Sequence, residues 1–176
     1  MTESDTIAFQ AQQIAILTVS DTRTEETDKS GTFLIQSLTE AGHALVEKKI
    51  IPDQKYAIRA QLSHWIADPK VRVIIITGGT GFADRDITPE AVTPLLDKTI
   101  DGFGELFRHV SINEIGMAAM QSRALAGIAN GTFIFCLPGS LNACRTAWNQ
   151  ILKAQLDSRT RPCNFVELLP KIRQES

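Results

Sequence analysis

Val71-Arg-Val-Ile-Ile-Ile-Thr77, followed at once by Gly78-Gly-Thr-Gly81, is the stretch on which the reading of the fold turns. Val73 to Ile76 are β-branched and apolar without a break. Such a run reads as a strand buried on both faces, which is how strands of a covered parallel sheet look. The glycines that follow mark a tight, close-packed turn at its carboxyl end.

Working outward, the same pattern recurs. Upstream, Asp53 to about Trp65 reads as a helix with Ile58, Leu62 and Ile66 at helical spacing. Ala44 to Ile51 reads as a strand ended by Pro52. A helix begins near Ser30, shows Leu34, Leu38 and Ala41 on one face, and stops at Gly42. Ile14 to Val19 is a buried strand, and residues 1–12 form a polar, flexible tail. Downstream, a helix starts near Thr88-Pro89-Glu90, with Thr as cap and Pro at the first helical position. Residues 103–110 and 114–122 read as two short helices. Leu125–Asn130 and Thr132–Leu137 read as strands of a tight hairpin about Asn130-Gly131. Pro138-Gly-Ser140 leads into a last helix carrying Leu141, Cys144, Trp148, Ile151 and Leu152; beyond Asp157 the chain is expected to run extended. Trp65, Trp148 and Tyr56 fall at core spacings. Strands alternating with helices predict an α/β fold, a mostly parallel sheet covered on both faces with one antiparallel hairpin. One domain over residues 13–165 is expected, with a short tail from 166 to 176.

The composition is that of an ordinary globular domain: 176 residues, 43% hydrophobic and 22% charged. A net charge of -2 offers no excess of cations for a nucleic-acid partner. The three cysteines, Cys136, Cys144 and Cys163, have no C-x-x-C spacing, which argues against a zinc site and for reduced thiols in the cytoplasm. No run approaches the length that spans a membrane, and the first residues lack the pattern of a secretory signal.

Three polar or glycine-rich segments follow strands: Ser20-Asp21, the stretch from Gly78 to Asp86, and Pro138 to Ser140. In a parallel sheet all three lie at the rim where such folds bind ligands. Gly78, Gly79, Thr80 and Gly81 let the backbone approach a ligand and turn N–H groups inward, a cradle that suits phosphate. The loop is neither a Walker A loop, having no Gly-Lys-Ser/Thr, nor a dinucleotide fingerprint, which counts against a nicotinamide oxidoreductase. Asp86 is a Mg2+ ligand, a general base or a solvated cap. Asp53 is a helix cap or the second carboxylate of a Mg2+ pair. Arg85 either neutralises a phosphate or forms a surface ion pair. Asp28 and Ser30 read as helix caps. Glu105, after Gly102-Phe-Gly104, could reach a ligand. Pro138, Gly139 and Ser140 either hold an anion at a helix N-terminus or supply a Ser cap. His43, His64 and His109 are scattered and point to neither a triad nor a metal site.

Taken in order, Ile16-Leu-Thr-Val-Ser-Asp21, Asp28-Lys-Ser-Gly31, Ile51-Pro-Asp53, Thr77-Gly-Gly-Thr-Gly81, Arg85-Asp-Ile-Thr-Pro-Glu-Ala91, Gly102-Phe-Gly-Glu105 and Leu137-Pro-Gly-Ser140 resemble the MogA/MoaB family of molybdenum cofactor biosynthesis. The likeness covers about residues 12–165. Cys144-Arg-Thr-Ala-Trp148 and Arg159-Thr-Arg-Pro-Cys-Asn-Phe165 look like its MoaB branch. The resemblance implies a three-layer α/β/α fold assembling as a homotrimer or homohexamer. It implies binding of molybdopterin and ATP, contact with other proteins of that pathway, and Mg2+-dependent adenylylation of molybdopterin with release of pyrophosphate. A non-catalytic carrier of molybdopterin or its nucleotide is the alternative. It puts the two acidic catalytic positions on Asp53 and Asp86. The glycine loop, Ser20, Asp21 and the 138–140 turn are implied to line the pocket.

Overall fold

The computed structural model describes residues 7–173. Six strands, β1 (Gln13–Val19), β2 (Ala44–Ile51), β3 (Val73–Thr77), β4 (Lys98–Thr99), β5 (Leu125–Ala129) and β6 (Thr132–Leu137), form one sheet in the order β2-β1-β3-β6-β5-β4. β2, β1, β3 and β6 run parallel. β5 pairs antiparallel with β6, and β4 antiparallel with β5. Every residue of β3 is buried, as its unbroken apolar run requires of a central strand. β2 lies at the edge, is only partly covered, and carries Lys48 and Lys49, charges that discourage further pairing.

The alternation of side chains along each strand builds two cores. Ile14, Ile16, Val73, Ile75, Phe133 and Phe135 face one way. They meet Leu34 and Leu38 of α1 (Lys29–Glu40), then Phe103 and Phe107 of a long helix and Cys144, Ala147 and Trp148 of another. Ala15, Leu17, Ile74, Ile76 and Ile134 face the other way, onto Ile58, Leu62 and Trp65 of α2 (Lys55–Ala67) and Ala91 and Val92 of α3 (Thr88–Val92). Each fully buried Ile or Leu contributes about 1.5–3 kcal/mol, so the sheet is held from both sides. The result is the three-layer α/β/α architecture expected from the sequence.

Several local expectations are corrected. The two short helices expected over 103–110 and 114–122 are one helix, α4 (Asp101–Ile115), followed by a 3-10 turn over Gly116–Gln121. Thr88 does not cap α3: it lies inside the helix, and its hydroxyl donates to the Gly78 carbonyl at 2.8 Å. Tyr56 is 76% exposed with Arg59 over its ring, whereas Trp65 and Trp148 are core residues. The last helix, α5 (Leu141–Ala147), continues through a π-helical turn at Trp148–Leu152 into α6 (Lys153–Gln155). Beyond it the chain is folded back rather than extended. α7 (Leu169–Arg173) buries Leu169, and Arg173 donates to the carbonyls of Gly131, Pro69 and Val71. Residues 7–12, expected to belong to a flexible tail, are docked: Ser158 bonds Ala8 and Gln10, and Phe9 lies on His43. Residues 1–6 and 174–176 of the expected tails lie outside the described residues. Asn130 and Gly131 both have positive φ, 46° and 73°, as the tight hairpin requires. Among the described residues no helix is long and apolar enough to cross a membrane.

Gly78 has φ +106°, and a Cβ added there would lie 2.2 Å from the Val19 carbonyl oxygen. Gly78→Ala should therefore cost at least about 2 kcal/mol of stability, read as a lower urea midpoint with an unchanged slope.

Candidate functional site

Four parallel strands deliver their carboxyl ends to one edge of the sheet, and a polar segment leaves each. Ser20 follows β1, Asp53 follows β2, Gly78 follows β3 and Pro138 follows β6. Backbone bonds lock these exits together. Ser20 N–H donates to the Ile51 carbonyl at 2.9 Å, and Gly78 N–H to the Leu137 carbonyl at 3.0 Å. The Thr77 hydroxyl donates to the Pro138 carbonyl at 3.0 Å. A Cβ on Gly139 would lie 3.2 Å from Gly78 Cα, so the turns after β3 and β6 pack backbone to backbone.

Above this floor opens a cavity of about 550 Å³. Of the residues singled out by sequence, Ser20, Asp53, Gly78, Gly79, Thr80, Gly81, Asp86, Pro138, Gly139 and Ser140 line it. Asp53 and Asp86 both press on the glycine loop. A Cβ on Gly79 would lie 3.0 Å from Asp53 Oδ1, and one on Gly81 2.6 Å from Asp86 Oδ2. Glycine is thus required there by carboxylates as well as by the positive φ of Gly79. The loop N–H groups of Gly79, Thr80, Gly81 and Phe82 meet no protein acceptor among the described residues, nor do those of Gly139 and Ser140. All of these residues but Phe82 line the cavity, and unpaired amides in such a place suit an anion.

Two sequence expectations are not met in this arrangement. Asp21 stands beside the cavity rather than on its lining. Its carboxylate makes a bidentate pair with Arg85 and accepts the Asp53 N–H at 3.0 Å. Glu105 lies on the opposite face of α4, in a separate groove with Arg108 between that helix and β5. Phe107, Ser111, Glu114 and Ile115 are the α4 residues that face the cavity, and helical periodicity turns position 105 away from them. Asp53 does not cap α2, whose N-cap is Gln54. Ser140 does cap α5, accepting the Ala143 N–H at 3.2 Å while still lining the cavity.

The remaining wall was not singled out in the sequence. It comes from α4 and the turn after it, with Ser111, Glu114, Ile115, Ala118 and Gln121 among its residues, and from Asn142 and Thr146 of α5. Reading that stretch as two helices hid its common face. Arg23 was missed as well, although its place in the polar segment just after β1 was a usable signal. It is the cationic residue of the lining, and it donates to the Gly139 carbonyl at 2.6 Å. Ser30, expected as a cap, donates to the same carbonyl at 2.8 Å. Asp28 caps α1 through the Gly31 N–H and is fully buried between Thr18, Lys48 and Arg23. Burial alone would push its carboxyl up, but bonds from Thr18 and Gly31 and the Lys48 ammonium bring it below the ordinary value.

Electrostatically the site is poised for a cation. Burial, then the charge of Asp21, then that of Asp86 push the Asp53 carboxyl above its ordinary value, and Arg85 offsets this only in part. Asp21 itself is pulled down by its bonds from Arg85. Among the described residues no cluster of three or more His, Cys, Asp or Glu could hold a metal. Mg2+ needs no such cage, since it binds through one or two carboxylates and completes its shell with water and phosphate oxygens. Asp53 and Asp86, which both line the cavity and press on the glycine loop, are the two carboxylates that fit that requirement.

A family model described as a "probable molybdopterin binding domain" matches residues 15–158. Molybdenum cofactor biosynthesis protein B of Escherichia coli (strain K12) is 56% identical over 163 residues, 93% of this chain and 96% of that protein. The chain belongs to the MoaB family. A crystal structure of a molybdenum cofactor biosynthesis protein B superimposes with a TM-score of 0.86 at 39% identity, covering 96% of this chain and 100% of that one. The tungsten cofactor synthesizing protein MoaB from Pyrococcus furiosus gives 0.78 at 36% identity, covering 94% and 99%. Membership assigns the MoaB chain a part in molybdenum cofactor biosynthesis and a molybdopterin-binding domain.

The raised Asp53 carboxyl has a stability consequence. Its folded value lies above the unfolded one, so the folded state holds the proton more tightly. Ionisation therefore costs stability; the cost is absent below the ordinary carboxylate value and complete above the raised one. Asp53→Asn should raise Tm at pH 7, and calorimetry should show that gain shrinking as pH falls through the raised value and gone below the ordinary carboxylate value.

Proposed function

We propose that this MoaB chain transfers the adenylyl group of ATP to the terminal phosphate of molybdopterin. An oxygen of that phosphate attacks the α-phosphorus of ATP, a new P–O–P bond forms, and the bond to the β-phosphate breaks with release of pyrophosphate. The reading rests on one observation above all: a loop of free amides pressed between two carboxylates in a cavity at the strand ends.

The chemistry asks for little beyond position and charge. A phosphate monoester is already anionic at neutral pH, so no strong base is needed. The difficulty is bringing two anions together. The amides of Gly79 to Phe82 hold phosphate oxygens without a flexible side chain, and Arg23 adds a fixed positive charge at the opposite turn. Asp53 and Asp86 would hold Mg2+, which would supply the charge neutralisation that the reacting phosphates require. The wall from α4 and α5, with Ser111, Glu114, Asn142 and Thr146, leaves polar groups for a heterocycle. We place the reaction in the cytoplasm. Assembly as a homotrimer or homohexamer belongs to the same proposal, since Leu106, Ile112, Ile115, Met117 and Met120 give α4 and its following turn an exposed apolar face.

The test is direct. Purified protein with molybdopterin, ATP and Mg2+ should yield adenylylated molybdopterin and pyrophosphate in equal amounts, and chelation should stop the reaction. Asp86→Asn should lower kcat by about a hundredfold, the scale on which one electrostatic stabiliser acts, with little change in molybdopterin affinity. Tight molybdopterin binding without product would identify a carrier instead.

A further inference from the structure

Arg123 does not line the cavity, yet it grips the loop that does. It lies between the 3-10 turn over Gly116–Gln121 and β5. Its Nε donates to the Gly81 carbonyl at 2.9 Å and, more weakly, to the Thr80 carbonyl at 3.3 Å. One terminal nitrogen donates to the Asp86 carbonyl at 2.7 Å. The other pairs with Glu90 of α3, and the guanidinium lies over the Phe82 ring at 5.3 Å. A single planar group thus spans both ends of the 80–86 segment.

The consequence follows from peptide geometry. In a trans peptide the C=O and the N–H of the next residue share a plane and point in opposite directions. Holding the Thr80 and Gly81 carbonyls toward Arg123 therefore aims the N–H groups of Gly81 and Phe82 the other way. Neither N–H has a protein acceptor among the described residues, and Thr80, Gly81 and Asp86 line the cavity. The positive charge on the carbonyl side also polarises those peptides toward an anion. We propose that Arg123 is a positioning residue for adenylyl transfer: it aims the loop amides at the phosphates and fixes the backbone of Asp86. The catalytic part of this inference rests on the adenylyl-transfer reading; the loop geometry does not.

Lys cannot replace this fork, because a point charge on a flexible stem cannot bridge Gly81 and Asp86 with fixed geometry. Two readouts separate the inference from that reading. In the free protein, hydrogen exchange at the two bonded amides of the loop, Ala83 (to Asp86 Oδ2) and Asp86 (to the Ala83 carbonyl), should quicken at least about tenfold in Arg123→Lys, while amides of β3 and β6 keep wild-type rates. In the assay, Arg123→Lys should lower kcat by at least about tenfold and raise the Mg2+ concentration for half-maximal rate, and millimolar methylguanidinium should restore part of the rate of Arg123→Ala. Exchange unchanged at Ala83 and Asp86, or quickened equally across the sheet, overturns the inference. So does an active wild type whose variants keep kcat within twofold, or lose it without rescue. A wild type that makes no product refutes the adenylyl-transfer reading alone, and exchange then decides whether Arg123 sets the loop.

Discussion

Gly78 is the point where three strand exits touch. Its N–H is held by the end of β6, its carbonyl by Thr88, and the space of a missing Cβ is filled by the carbonyl of Val19 at the end of β1. The glycine loop starts from this fixed point, and so does the direction in which its amides face. The turn after β6 rests on the same residue through Gly139. Arg23 and Ser30 then tie Gly139 to the segment after β1, backed by the buried carboxylate of Asp28. The cavity floor is therefore made of backbone, braced from behind by side chains.

That construction explains how the site tolerates its charge. Asp53 and Asp86 crowd one loop, and Asp21 adds to the field on Asp53. The cations nearby are already engaged, Arg85 with Asp21 and Arg23 with Asp28 and Gly139. Two carboxylates thus face the cavity where free amides collect, and neither makes an ion pair among the described residues. An anion alone would be repelled by the acids, and a cation alone would lack its remaining ligands. A cation and a phosphate together satisfy both groups, and this mutual requirement is the physical basis of the proposed chemistry.

The sheet was legible because its signals are local. The runs of β1, β2, β3, β5 and β6 end at polar, glycine or proline residues, so the strands fall within a residue or two of their expected bounds. β4 has only two residues and owes its pairing to β5, which no local pattern announces. α4 was broken in two at Ser111-Ile-Asn113, where polar residues flank a single apolar one, and the break concealed Ser111 and Glu114 as cavity residues. Asp53 could not be assigned from sequence at all. Its choice between cap and ligand depends on β2 and β3 flanking β1, a tertiary fact that brings residue 53 against residue 79. Glu105 lies away from the cavity for the converse reason: its motif is conspicuous, but the helix turns it to another face.

The most direct test follows backbone amides while the 15N-labelled protein is titrated with Mg2+ and an ATP analogue that cannot be cleaved at its α-phosphate. The largest shifts are expected at Gly79, Thr80, Gly81 and Phe82, with smaller ones at Gly139 and Ser140, all requiring Mg2+ and lost in Asp53→Ala and Asp86→Ala. Shifts that gather instead around Glu105 and Arg108, or that ignore both Mg2+ and the two carboxylates, would contradict the loop as the phosphate site.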